Sequence, residues 1–384
     1  MTPPPLSLYV HLPWCVQKCP YCDFNSHAAG ESAPRRRYLD ALLVDLEVEA
    51  CRAAGRKLES IFLGGGTPSL FSPDEIGRLL DGVRACFDIA ETVEITMEAN
   101  PGTVECGKPA GYRDAGVNRL SFGGQSFNDE LLKTIGRIHN SADIVRAVND
   151  ARTAGLANVN VDLMHGLPGQ SVAAALEDLE TAISLTPTHI SWYQLTLEPN
   201  TIFYARPPPD LPDAETTYTM QECGHALLAE NGYRQYEVSA FARDDKVCAH
   251  NLNYWLFGDY LAAGAGAHGK ITESRGVFRY QKPAHPMQYM KTIEAGGQNA
   301  TLVPIAGTDL VFEFMLNALR LSDGFSDRTF RDRTGLSAEE LPTIMREAAK
   351  KGLVARVGES RWQATPLGRR FLNDLQAEFL PDTS

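Results

Sequence analysis

The chain has 384 residues, 43% of them hydrophobic and 22% charged, which is enough apolar mass for a full core and excludes a disordered protein. Its 36 Lys and Arg stand against 48 Asp and Glu, a net charge of −12 that speaks against a general nucleic-acid binder while leaving room for a local basic pocket. No run approaches the roughly 20 apolar residues of a membrane span, and Met1-Thr-Pro-Pro-Pro lacks the basic and apolar regions of a signal peptide, so a cytoplasmic chain is expected.

In chain order, apolar runs at Leu6–Leu12, Ser60–Leu63, Val93–Ala99, Asn118–Phe122, Asn158–Met164 and His189–Leu195 alternate with helix-like stretches near 35–54, 73–87, 103–115, 140–154 and 171–185. Ser72-Pro73-Asp74-Glu75 is a helix start, with an N-cap before a proline at N1; Gly116 and Gly155 sit where helices stop. Six strand–helix repeats predict an α/β fold built on a parallel sheet, a partial (β/α)6 TIM-type barrel over residues 1–205. Each run ends in residues that carry chemistry: the cysteine loop, Gly64-Gly65-Gly66-Thr67-Pro68, Glu98, Gln125 and Asp162. In such folds the site lies at the C-terminal ends of the strands, so these residues are expected to converge.

A linker and extension follow at 206–305, beginning Arg206-Pro-Pro-Pro. They hold a helix over 214–231, a strand over Tyr233–Phe241, the segment His250-Asn-Leu-Asn-Tyr-Trp255 and the glycine-rich stretch Gly264–Gly269. Residues 306–384 read as a smaller, mainly helical unit: helices 309–322, 337–351 and 366–379, with a hairpin over 353–365. Its 11 basic and 12 acidic residues, 11 − 12 = −1, favour packing or ligand covering over DNA binding, although the pattern resembles a winged helix.

Eight cysteines fall at 15, 19, 22, 51, 86, 106, 223 and 248. In a reducing compartment the scattered five are most simply small buried apolar residues. The other three, in Tyr9-Val-His-Leu-Pro-Trp-Cys15-Val-Gln-Lys-Cys19-Pro-Tyr-Cys22-Asp-Phe24, have the spacing C-x3-C-x2-C. Three thiolates on one loop hold three irons of a [4Fe-4S] cube and leave the fourth iron open. The alternative is a zinc site with His11 or His27 as fourth ligand.

Cysteines so spaced at the end of a first strand, followed by a glycine triplet after the second, resemble the radical S-adenosylmethionine (SAM) superfamily. The resemblance implies a [4Fe-4S] cluster on Cys15, Cys19 and Cys22, with SAM chelating the open iron. It implies a SAM pocket from Tyr9, Tyr21, Gly65, Gly66, Thr67, Glu98, Gln125, Arg137 and Asp162. Glycines there let the backbone approach a ligand, and Arg137 suits a carboxylate.

Further segments narrow the resemblance: Tyr9–Pro13, Arg119–Phe127, Gly136–His139, Asp162–Gly169 and Gly264–Gly269 are similar to oxygen-independent coproporphyrinogen III dehydrogenases and their relatives, the HemW-type heme chaperones. The dehydrogenases carry a fourth cysteine where this chain has Phe24, and a longer N-terminal segment. The chaperone branch has His-Asn-x-x-Tyr-Trp, matched by His250–Trp255. Gly124 and His165 depart from the group's usual bulkier and aromatic residues. The chaperone resemblance implies heme as cargo near His250, Tyr254 and Trp255, with His250 a candidate axial ligand and Met220, Cys223, His225 and Cys248 lesser ones. The implied partners are a heme-acceptor protein and an electron donor, with no nucleic acid and with peripheral membrane contact left open. The rival implied activity is oxidative decarboxylation of coproporphyrinogen III.

Overall fold

The computed structural model describes residues 3–30, 33–103, 108–296, 300–305 and 307–381. The first apolar run is strand β1 (Leu6–Leu12), and α1 (Arg35–Ala53) leads from the cysteine loop to β2 (Leu58–Gly65). The winding continues through α2 (Pro73–Cys86), β3 (Ile89–Ala99), α3 (Lys108–Ala115), β4 (Arg119–Gln125), α4 (Asp129–Thr134), α5 (Ser141–Thr153), β5 (Asn158–His165), α6 (Val172–Ser184) and β6 (His189–Gln194). Helix α2 starts as expected: the Ser72 hydroxyl accepts the Glu75 N–H while the Glu75 carboxylate accepts the Ser72 N–H. Residues 104–107, near the expected start of α3 and including Cys106, lie outside the described residues.

The extension adds α7 (Ala214–Glu230), β7 (Arg234–Glu237), β8 (Ala240–Ala242), α8 (Ala249–Trp255), β9 (Asp259–Ala263), β10 (His268–Glu273), β11 (Gly276–Gln281), α9 (Pro286–Glu294) and β12 (Val303–Ile305). One twelve-stranded sheet results, in the order β12-β11-β10-β9-β1-β2-β3-β4-β5-β6-β8-β7. The six expected strands stand side by side and parallel, and β9 makes a seventh by pairing Leu6 with Asp259 through Val10 with Ala263. Antiparallel strands continue the sheet beyond β9 and β6, so the barrel stays open. The single strand expected over Tyr233–Phe241 is two, because the chain reverses at Val238 and Ser239, where Glu237 accepts the Ser239 N–H.

The C-terminal unit is α10 (Thr308–Ala318), β13 (Phe325–Ser326), α11 (Asp327–Thr334), β14 (Val354–Val357) and β15 (Arg361–Ala364), followed by short helices. Its three strands form an antiparallel sheet, and Phe314 meets Phe325 and Phe330 edge-on at its centre. That core includes Phe257 and Val277, so it is continuous with the sheet extension. The helix expected over 337–351 is broken into short turns around Pro342 and Met345, and the one over 366–379 is interrupted at Phe371.

Buried charge marks the β9–β11 side of the sheet. Asp45 and Glu49 of α1 share the Lys282 ammonium at 2.6 and 2.8 Å, and Tyr289 donates to Asp45 at 2.7 Å. Arg52 pairs with Glu49 at 3.2 Å. Asp259 takes Arg56 at 2.8 Å and Lys270 at 2.9 Å. Burial pushes the Asp259 carboxyl up, but Lys270 and the hydrogen bonds to it outweigh that and hold it below the usual range.

Candidate functional site

The cysteine loop is built where β1 ends. Trp14–Cys15 bridges in parallel to His27–Ala28, which folds the loop back on itself. The glycine turn after β2 fastens it: Gly66 N–H donates to the Leu12 carbonyl at 2.8 Å and Thr67 N–H to the Trp14 carbonyl at 2.7 Å. A Cβ on Gly66 would lie 2.6 Å from the Trp14 oxygen, and one on Gly65, where φ is +117°, 2.5 Å from the His11 ring. The immediate demand for these glycines is therefore close packing against the cysteine strand, which in turn sets the shape of the pocket.

A cavity of about 150 Å³ brings together Cys15, Cys19 and Cys22 with Tyr21, Gly65, Gly66, Thr67, Glu98, Gln125, Arg137 and Asp162. Ten of those eleven expected site residues come from the C-terminal parts of five strands and the loops after them, and Arg137 comes from the turn between α4 and α5. The cavity also has Ser121, which lies within the Arg119–Phe127 segment but was not singled out as a site residue, and Tyr193, which carries no motif signal. Among the described residues no three His, Cys, Asp or Glu side chains are gathered as ligands of a single ion. Both nitrogens of His11 are engaged, with the Tyr9 hydroxyl at 3.0 Å and the Asn25 carbonyl at 2.8 Å, so it is not free to complete a zinc site. Three thiols on one cavity wall fit a cube better, since each thiolate then binds a different iron. Burial raises the Cys15 and Cys22 thiols, so ionisation there needs a bound cation.

The polar groups of this cavity are poised for a zwitterion with a further positive charge. Glu98 accepts the Gly65 N–H at 3.1 Å, and burial, then the Asp162 charge, raise its carboxyl to about 7. Asp162 accepts from Asn160 at 2.8 Å and Ser121 at 3.0 Å, and burial raises it too. Neither carboxyl has a salt-bridge partner among the described residues. Arg137 donates to the Gly123 carbonyl at 2.6 Å and reaches the Cys19 sulfur at 3.6 Å, while its Nε has no partner among the described residues. Gln125 accepts from the Tyr193 hydroxyl at 2.9 Å. Two carboxyls without a direct ion pair and a guanidinium with spare donors match the sulfonium, ammonium and carboxylate of SAM.

Tyr9 faces a second, larger cavity of about 610 Å³, with His11, Phe62, His250, Tyr254, Trp255 and Tyr260 on its walls. Gly65, Glu98 and Phe24 line both cavities. Phe24 is 59% exposed at this common rim. Helix α8 supplies His250, Tyr254 and Trp255, and its N-terminus is held by Glu94, which accepts the Ala249 and His250 N–H groups at 3.2 and 3.3 Å. Tyr254 stacks on Tyr260 at 4.0 Å, and Arg320 lies over Trp255 at 4.3 Å.

The lesser candidates are elsewhere. Met220 and Cys248 are buried, Cys223 is exposed, and His225 packs against Phe241; none lines the aromatic cavity. His165 lies against Trp192 at 4.4 Å and lines neither cavity. The scattered cysteines are not uniformly buried as expected: Cys248 is, but Cys51 and Cys223 are exposed on helix surfaces, where a small side chain is tolerated.

Comparison with known proteins agrees with this geometry. Residues 9–182 match the model of the radical SAM superfamily, and residues 305–371 match the HemN C-terminal domain. The chain is 48% identical to the heme chaperone HemW of Haemophilus influenzae, over 99% of each chain. It is equally 48% identical to that of Escherichia coli and 35% identical to that of Bacillus subtilis over 97% of this chain and 99% of the relative. Among solved structures, coproporphyrinogen III oxidase (HemN) from Escherichia coli, a radical SAM enzyme, superposes with a TM-score of 0.82 at 26% identity. The match covers 98% of this chain and 90% of that one.

Proposed function

This chain belongs to the HemW family of heme chaperones within the radical SAM superfamily, and from that premise we propose that it takes heme into the aromatic cavity beside its SAM pocket and passes it to an acceptor protein. Cys15, Cys19 and Cys22 hold a [4Fe-4S] cluster. Tyr21, Gly65, Gly66, Thr67, Glu98, Gln125, Arg137 and Asp162 hold SAM, with Tyr9 on the far side of Gly65. The cluster, when bound, supplies an electron for SAM cleavage, and an external donor must reduce it. Arg137 takes the SAM carboxylate, while Glu98 and Asp162 neutralise its positive groups and exclude water from them. His250, Tyr254 and Trp255, with Phe62 and Tyr260, offer ring faces to a flat apolar macrocycle. The work is placed in the cytoplasm, where the acceptor is met either free or at a membrane surface; no helix among the described residues is long and apolar enough to cross a membrane.

The observation that carries the reading is the aromatic cavity of about 610 Å³ walled by α8 and joined to the SAM pocket at Gly65, Glu98 and Phe24. Phe24, in the place of the dehydrogenases' fourth cysteine, counts against decarboxylation. The test uses anaerobically reconstituted protein. It is expected to bind heme at one per chain and to leave coproporphyrinogen III unconverted in the presence of SAM and reductant. The Cys15/Cys19/Cys22→Ala protein is expected to lose all of the roughly four irons per chain and still to bind heme. Formation of protoporphyrinogen IX by the wild type would replace this reading with the enzymatic one.

A further inference from the structure

We infer that His250 meets its ligand as an Nε2–H donor to a carboxylate, and not as a ligand of the heme iron. The inference rests on the reading of the aromatic cavity as the heme site, and it follows from one chain of hydrogen bonds beneath that cavity.

The chain starts at a group whose role is fixed. The Asp259 carbonyl only accepts, so the Asn253 side-chain atom 2.8 Å from it is the NH2 group. That same nitrogen lies 2.9 Å from the Ser7 hydroxyl and therefore donates its second hydrogen to it. Ser7 has one remaining neighbour, the Ser60 hydroxyl at 2.7 Å, and Ser60 has one more, His250 Nδ1 at 3.1 Å. If every hydroxyl hydrogen is to find an acceptor, Ser7 donates to Ser60 and Ser60 donates to His250 Nδ1. The opposite direction would have Ser7 accept twice and leave its own hydrogen buried without a partner. Nδ1 is then the bare nitrogen, and in a neutral ring the proton sits on Nε2.

The ring is neutral because burial, and then the Arg119 charge, lower it to about 3. His250 is 2% exposed and lines the cavity, and its Nε2 has no hydrogen-bond partner among the described residues. What it offers a ligand is one unsatisfied N–H. A protonated Nε2 has no lone pair for iron, and moving the proton to Nδ1 would reverse the Ser60–Ser7 pair against the Asn253 amide. Among the described residues no Lys or Arg lines this cavity, so a porphyrin propionate reaching its floor depends on neutral donors, of which His250 is the most deeply buried.

Two measurements test this. In the heme-free protein labelled with 15N-histidine, long-range 1H–15N correlation should show His250 protonated at Nε2 and bare at Nδ1, assigned by loss of the signal in His250→Gln. A proton on Nδ1 would overturn the inference whatever the heme does. In titrations, His250→Gln keeps an N–H donor and should retain the Soret band and affinity of the wild type. His250→Leu should weaken heme and metal-free protoporphyrin IX alike, by about tenfold for a lost bond to a charged group. A changed Soret band in His250→Gln, or a loss confined to the iron-bearing porphyrin, would make His250 the axial ligand and the inference false. If neither variant alters the binding of either porphyrin while Tyr254→Ala also binds normally, heme lies elsewhere and the cavity reading itself fails.

Discussion

Asp45, Glu49 and Asp259 are buried with cations at hydrogen-bonding distance, whereas Glu98 and Asp162, under the mouth of the barrel, have none among the described residues. Both groups of carboxylates are held by tyrosine, serine, asparagine or backbone donors, so hydrogen bonding does not separate them. What differs is direct ion pairing. The β9–β11 side combines three carboxylates with Lys282, Arg52, Arg56 and Lys270 and completes itself. At the mouth, Glu98 and Asp162 have no direct ion pair among the described residues and lie in one cavity with Arg137, whose donors are only partly used, a set that a zwitterionic ligand can complete. Buried charge thus fastens one region and prepares the other, and the presence or absence of a direct ion pair tells the two apart.

Removing the cation from the self-sufficient side should have the largest effect. Lys282→Met leaves Asp45 and Glu49 buried without it and is expected to cost about 3–5 kcal/mol in chemical denaturation, with SAM affinity per folded molecule unchanged. At the mouth the sign reverses. Because the folded Glu98 carboxyl titrates at about 7, above its unfolded value, the folded state binds the extra proton between these two values. Stability should therefore fall as pH rises from about 4.5 to 7, by up to about 3 kcal/mol. Glu98→Gln should remove that slope and raise stability at pH 7.5, while SAM binding, followed by equilibrium dialysis, weakens about tenfold or more. Wild-type SAM affinity should itself rise with pH through 7, as Glu98 ionises. A Glu98→Gln protein less stable than wild type at pH 7.5 would erase the distinction between the regions. Tyr289→Phe is the smallest change. It takes one donor from Asp45 and leaves Lys282, for an expected loss of about 1.5 kcal/mol and no effect on SAM.

The mouth was legible in the sequence because its residues punctuate strand ends. Glu98 and Gln125 stand at the ends of their strands and Asp162 interrupts an apolar run three residues before its strand ends, and in a parallel sheet such positions gather on one rim. Cys15, Cys19 and Cys22 are separated by so few residues that their spacing alone places them together. The β9–β11 side offered no such signal. Asp-Tyr-Leu-Ala-Ala at 259–263 has neither alternation nor β-branched residues, and its pairing with Leu6–Val10 depends on contacts some 250 positions apart. Lys282, Asp45 and Glu49 look like surface charges until α1 and β11 are brought together. The aromatic cavity was half visible: His250, Tyr254 and Trp255 form a motif, but Phe62 and Tyr260 are ordinary strand residues. The hairpin at Val238–Ser239 was missed because neither residue is a strong turn former.

The parallel pairing of β1 with β9 has a consequence for biosynthesis. One neighbour of β1 is made soon after it, but the other begins 259 − 6 = 253 residues later. At about 5–20 residues per second, this leaves β1 with an open edge for roughly 10–50 s after it leaves the ribosome. Throughout that interval the cysteine loop hangs from a strand without its second flank, and Asn25 lacks the Ala265 and Ala284 carbonyls that later anchor it. A nascent chain should therefore expose its thiols to iron, oxidants and chaperones well before the pocket exists. Order of assembly follows: metal loading onto a firm template has to wait for the last third of translation, and truncations ending before residue 263 should yield aggregating protein rather than a smaller working barrel.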